Sequence, residues 1–189
     1  MKYTETIEDS NRDRAFKLLA RMEQEYEEKN ATFFNKVLKE EAALVVRVHA
    51  VTVLSEIGDE SSVPVLGAVM KNDPSSLIRH ECAFSLGQMG LKSSVPYLVD
   101  AALNDPSEIV RHESAAALGA IGEEGAREAL ERASKDESAE VRGSALASLF
   151  NLDFLKHSAH EKLDAEVLAL SIQRRKNSVV KARKKMPHP

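Results

Sequence analysis

Apolar residues recur along this chain at spacings of three and four, the period of an amphipathic helix, without the alternation that marks a strand. The clearest stretch is 78–122, where one short unit appears twice. Ile78-Arg79-His80-Glu81 leads into Leu86-Gly87-Gln88-Met89-Gly90. Val110-Arg111-His112-Glu113 then leads into Leu118-Gly119-Ala120-Ile121-Gly122, 32 residues later. Fainter copies begin at Val46-Arg47 and Val141-Arg142. A helical repeat of about thirty residues predicts stacked helix pairs, an all-α solenoid, because each pair can bury its apolar face only against its neighbours.

The same pattern divides the chain. Residues 1–8 read as a flexible leader, and Asp9-Ser10 as the cap of a helix over 9–29 with Phe16, Leu19, Met22 and Tyr26 on its buried stripe. Four helix pairs are expected at 31–57, 62–89, 94–121 and 125–151, then a C-terminal helix over about 158–173. The flanking helices would cap the two ends of one domain spanning 9–173, leaving 174–189 as a basic flexible tail. Asp73-Pro74 and Asp105-Pro106 suggest a capping Asp followed by a first-turn Pro. Gly58, Gly90 and Gly122 stand where left-handed residues would close the second helices.

On a helical wheel with Ile78 at zero, Ile78, Cys82, Leu86 and Met89 form the core side, and Arg79 lies at its edge. An Arg there, and Arg111 one repeat on, is expected to bind loop carbonyls or an Asp of a neighbouring repeat. His80 falls at roughly 200° and Glu81 at roughly 300°, away from the core. With the second helices stacked about 8–10 Å apart, His80 and His112 face the same way, as do Glu81 and Glu113. The small residues Gly87, Ala116, Gly119 and Ala120 would leave open space beside them. Two imidazoles and two carboxylates on one concave surface suit a hard-to-borderline metal, and two His with one carboxylate suit non-haem Fe2+. The competing reading is an inherited polar surface, since a repeat copies whatever its ancestor carried. His160-Glu161 lies outside the repeat register and belongs with that reading.

Composition narrows the function. A hydrophobic content of 43% over 189 residues suffices for one continuous core, while aromatics are only 5% and Trp is absent. A formal net charge of −4 argues against a nucleic-acid binder, and no stretch approaches a membrane span. The single cysteine, Cys82, rules out an internal disulfide framework, and a cytoplasmic setting is expected. The basic run from Arg174 to Lys185 reads as a solvated terminus. No Ser/His/Asp triad or phosphate loop offers another enzymatic route.

Over 76–122, and above all in His80-Glu81-Cys82-Ala83-Phe84-Ser85-Leu86-Gly87-Gln88-Met89, Val95-Pro96-Tyr97-Leu98-Val99 and Val110-Arg111-His112-Glu113, the chain resembles the HEAT-repeat metalloenzyme family of deoxyhypusine hydroxylase. That family has two halves of four HEAT repeats, with His-Glu motifs in the two middle repeats of each half. The halves hold a di-iron centre between them that hydroxylates a lysine-derived side chain of a translation factor. The resemblance implies one such half, with His80, His112 and Glu113 as iron ligands and Glu81 as a ligand or substrate contact. The first and fourth pairs carry Val48-His49 and Gly143-Ser144 at these positions, so a paired centre would require a homodimer meeting face to face. Phycobilin-lyase-like HEAT proteins share the generic repeat. The alternative function is therefore a metal-free scaffold whose concave face holds a protein partner.

Overall fold

The computed structural model describes residues 2–41, 43–159 and 162, with side chains from residue 12 onward, and shows helices and no strand among them. The helices are α1 (Lys2–Glu27), α2 (Ala31–Glu40), α3 (Leu44–Ile57), α4 (Val63–Asn72), α5 (Ser76–Met89), α6 (Val95–Asn104), α7 (Glu108–Ile121) and α8 (Arg127–Ala133). Residues 139–159 form a further helix, α9. The pairs are α2–α3, α4–α5, α6–α7 and α8–α9. The helices from α2 to α8 end within two residues of the positions read from the repeat, whereas α9 runs past the end expected at 151.

First helices stack on first helices and second on second: α4 lies on α6 and α6 on α8, α3 on α5 and α5 on α7. The core runs between the two rows. Val46, Val51 and Leu54 of α3, Ile78, Cys82 and Leu86 of α5, Val110 and Leu118 of α7, and Val141 of α9 are all fully buried. Burying each Leu, Ile or Val contributes about 1.5–3 kcal/mol, and because every residue has its counterpart one repeat on, that gain recurs at each layer.

The predicted arginine role is present in full. Arg79 makes two bonds to Asp105, Nε to Oδ2 at 2.8 Å and an Nη to Oδ1 at 2.9 Å, and a further Nη donates to the Asp73 carbonyl at 2.9 Å. Arg111 repeats this with Asp136, at 2.8 and 3.0 Å, and with the Asp105 carbonyl at 3.0 Å. Arg47 pairs with Asp73 in the layer before. Each Arg thus ties the loop inside its own pair to the corresponding loop of the next.

This ladder also changes the reading of the aspartates. Ser75 and Ser107, not Asp73 and Asp105, hold the N-cap positions, and Pro74 and Pro106 lie outside the helices. Each Asp accepts from the backbone N–H two residues on, at 2.9 Å from Ser75 and 2.8 Å from Ser107, while also binding an arginine. A carboxylate with four acceptor sites can serve both the loop and the neighbouring repeat.

Other expectations are corrected. The leader expected at 1–8 is helical from Lys2, and Asp9-Ser10 lies inside α1 rather than capping it. Nothing from Lys2 to Ser10 is a Gly or Pro that would stop a helix once nucleated. The packed stripe of α1 is Ala15, Leu18, Leu19 and Met22, whereas Phe16 is 62% exposed. Gly90 and Gly122 are left-handed, at φ 64° and 73°, but Gly58 is extended, with φ −66° and ψ 153°. Gly58 is instead suited to close approach: a Cβ there would lie 3.1 Å from Met89 Cε of α5.

Within the span expected as one domain, 9–173, the residues up to Leu152 belong to one compact unit and those from Asp153 to a second. Among the described residues Leu152 is the last buried one, and Asp153 to His157 are all exposed. Of the second unit, residues 153–159 and 162 are described, and they are helical. Most of the helix expected over 158–173, and all of the tail at 174–189, lie outside the described residues. No described helix is long and apolar enough to cross a membrane.

Candidate metal centre

The two His-Glu pairs occupy the second turns of α5 and α7, held in register by the arginine that precedes each of them. Arg79 and Arg111 are locked into the loop ladder, so the next two residues of each helix are turned away from the core. His80, Glu81 and Glu113 remain accessible, with 27, 26 and 18% of their side chains exposed.

His80 lies between two carboxylates. Its Nε2 is 3.4 Å from Glu113 Oε2 on the next repeat, and its Nδ1 is 3.5 Å from Glu81 Oε1. Nδ1 is buried and makes no hydrogen bond. A neutral imidazole has one N–H and can satisfy only one of two carboxylates. The other nitrogen then faces an oxygen with no proton between them, an arrangement that a bound cation would relieve.

His112 is placed differently. Its Nδ1 lies 3.2 Å from the Glu140 carbonyl oxygen and 2.8 Å from Ser144 Oγ, both on α9. A carbonyl oxygen only accepts, so a neutral ring that donates there through Nδ1 keeps the Nε2 lone pair for a metal. A metal-ligating imidazole is commonly oriented in this way, through its other nitrogen. The structure thus brings His80, Glu81 and Glu113 together, while the partners it gives His112 are Glu140 and Ser144. Among the described residues no group of three His, Cys, Asp or Glu side chains is assembled to hold a metal ion. The donors fit a divalent ion in kind, but one chain does not converge them into a finished coordination sphere.

Two neighbours settle what else could contribute. Cys82 follows Glu81 but points into the core, and burial pushes its thiol far above the ordinary value, so it offers no thiolate. His49 occupies the register of Glu81 in the first pair. It lines a cavity of about 670 Å³ between α1 and α3 with Glu23, Glu27 and Glu56, where Tyr26 donates to Glu56 at 2.7 Å.

Gly87 and Gly119 do not open space as expected. A Cβ on Gly87 would lie 2.7 Å from the Ala117 Cβ, and one on Gly119 would lie 2.5 Å from the Ser148 Cβ. These glycines let consecutive second helices touch. That closeness is what allows a His on one helix to reach, on the next, the residue that follows its own equivalent. Glu140 was not singled out from the sequence, and Ser144 was read there only as the fourth pair's departure from the His-Glu motif. Ser144 was nonetheless legible, since it stands 31 residues after Glu113, in the same repeat position.

A family model for HEAT repeats matches residues 32–118 and 63–149. No curated protein sequence matches the chain. Among solved structures, human deoxyhypusine hydroxylase in complex with glycerol is similar, with a TM-score of 0.63 and 30% identity over 75% of this chain and 48% of that one. The chain therefore spans about half the length of that relative.

Proposed function

The chain belongs to the HEAT-repeat family, and from that premise we propose that its His-Glu face binds iron in the manner of deoxyhypusine hydroxylase. His80, His112 and Glu113 would be the ligands. The observation that carries this reading is His80 Nε2 at 3.4 Å from Glu113 Oε2, an imidazole of one repeat facing a carboxylate of the next with its other nitrogen unsatisfied. Bound iron would supply oxygen activation for hydroxylating a lysine-derived side chain of a protein substrate. The residues of this chain do the rest. Glu140 and Ser144 orient the His112 ring, and Glu81 provides a carboxylate for a cationic side chain beside the metal. A second copy, face to face, would supply the other donor set of a two-iron centre.

Metal analysis of the chain purified without chelator tests this. The reading expects near-stoichiometric iron in the wild type, and its loss in both His80→Ala and His112→Ala with helix content unchanged. Equal metal content in wild type and both variants, or none in the wild type after incubation with Fe2+, would overturn it. One observation favours a second reading, a metal-free protein-binding face. Phe84, one turn beyond His80, is 41% exposed, an apolar contact beside the polar pairs.

A further inference from the structure

In three successive second helices a large aliphatic residue stands just before the buried one that begins the core stripe. These are Val45, Leu77 and Ile109, each 32 residues after the last. They are 62, 47 and 58% exposed. The stack does not require an aliphatic side chain here, because the fourth pair carries Glu140 at the same place, also exposed. On the helical wheel Leu77 falls at roughly 260°, between His80 and Glu81 and one turn before them. The three residues therefore form a row across the second helices, about 5 Å along the helix axes from the row of His-Glu positions. The row stops at Glu140, 12 residues and about 18 Å of helix before Leu152, where this compact unit ends.

The charge beside the row is acidic. Ile109 forms one wall of a cavity of about 240 Å³ whose other walls are Glu108, His112 and Glu140. Glu81 and Glu113 stand one turn further along their helices. The arginines of the same helices do not offset these carboxylates, since Arg79 and Arg111 are held in the ladder by Asp105 and Asp136.

We infer that the row seats an extended segment of a second protein, with an apolar residue at every third position and a basic side chain between them. Second helices of adjacent layers lie about 8–10 Å apart. Three residues of a polyproline-type chain span about 9 Å, so one partner residue in three meets the row. A lysine or arginine beside Ile109 lays its stem on that residue and its charge between Glu108 and Glu140. The inference deepens the proposed function and takes from it that the substrate is a protein side chain. A side chain that reaches the His-Glu pairs brings its main chain close to them, and this row is the continuous apolar surface one turn away.

The probe is a fluorescein-labelled peptide with leucine at every third position and proline and lysine between, titrated by polarisation into the full-length chain. Buffer with EDTA keeps the readout independent of iron, so this inference and the metal reading fail separately. The wild type should bind, and Leu77→Asp and Ile109→Asp should each weaken binding about tenfold or more. Leu146→Asp, at an exposed aliphatic off the row, should leave it unchanged. A peptide of the same composition with its leucines out of this spacing should bind more weakly. In the free protein, Leu77→Cys should react with iodoacetamide as fast as an exposed thiol, and the peptide should slow it. Cys82 is buried and does not compete. A slow Leu77→Cys thiol in the free protein would show that this chain or a second copy already covers the row, and would overturn the proposal. Absence of binding to the wild type at about 1 mM peptide, or equal binding by the wild type and both Asp variants of the row, would overturn it too.

Discussion

The contact of α5 with α7 and the contact of α7 with α9 are the same interface built twice. Gly87 touches Ala117 in one, and Gly119 touches Ser148 in the other. The bond from the Ser148 hydroxyl to the Ala115 carbonyl, at 2.8 Å, has its counterpart between α5 and α3, where Ser85 donates to the Val51 carbonyl at 3.0 Å. Arg79 binds Asp105 as Arg111 binds Asp136. The difference lies on the accessible face, where His80 meets Glu113 but His112 meets Ser144. Positions that set the distance between helices are copied faithfully. Positions that only face solvent or ligand change from one layer to the next, and there the chemistry of this chain resides.

The largest effect should come from breaking the ladder unequally. Asp105→Ala leaves Arg79, 8% exposed, without its carboxylate and should cost about 3–5 kcal/mol, the range for an uncompensated buried charge. Asp136→Ala should cost less, because Arg111 also lies 3.4 Å from Glu137. Denaturant melts of the two variants measure the gap, and equal losses would show that Glu137 contributes nothing. Next come the spacers. Gly87→Ala and Gly119→Ala each force two helices apart and should cost about 1–3 kcal/mol by overpacking. Near-neutral changes in both would contradict the close contact.

The smallest effect is electrostatic. The Arg111 hydrogen bonds hold the Asp136 carboxyl below its ordinary value of 3.8. A carboxylate depressed on folding adds stability above its unfolded value, and that stability is lost as pH falls below about 3.8 through the lower folded value. Acid titration of wild type against Asp136→Asn isolates this loss. A variant as acid-sensitive as the wild type would remove the assignment.

The repeat fixed most of this architecture before any coordinates. Helix pairs, their ends, the buried Leu86 and Leu118, and the bonding of Arg79 and Arg111 follow from a period, a helical wheel and the rule that a buried guanidinium needs acceptors. Short-range rules failed where one group serves two partners. Asp105 looked like a helix cap because capping depends on neighbours in sequence, but its place was set by Arg79, 26 residues away. Gly87 and Gly119 looked like open space because a missing side chain reads as a gap until the helix that fills it is known. The direction each imidazole takes was likewise decided only by packing. His80 and His112 share a register in the sequence, yet one turns to a carboxylate and the other to a carbonyl and a hydroxyl. A side chain on an accessible face settles by what the next layer offers it, and that layer is a neighbour in space some thirty residues away along the chain.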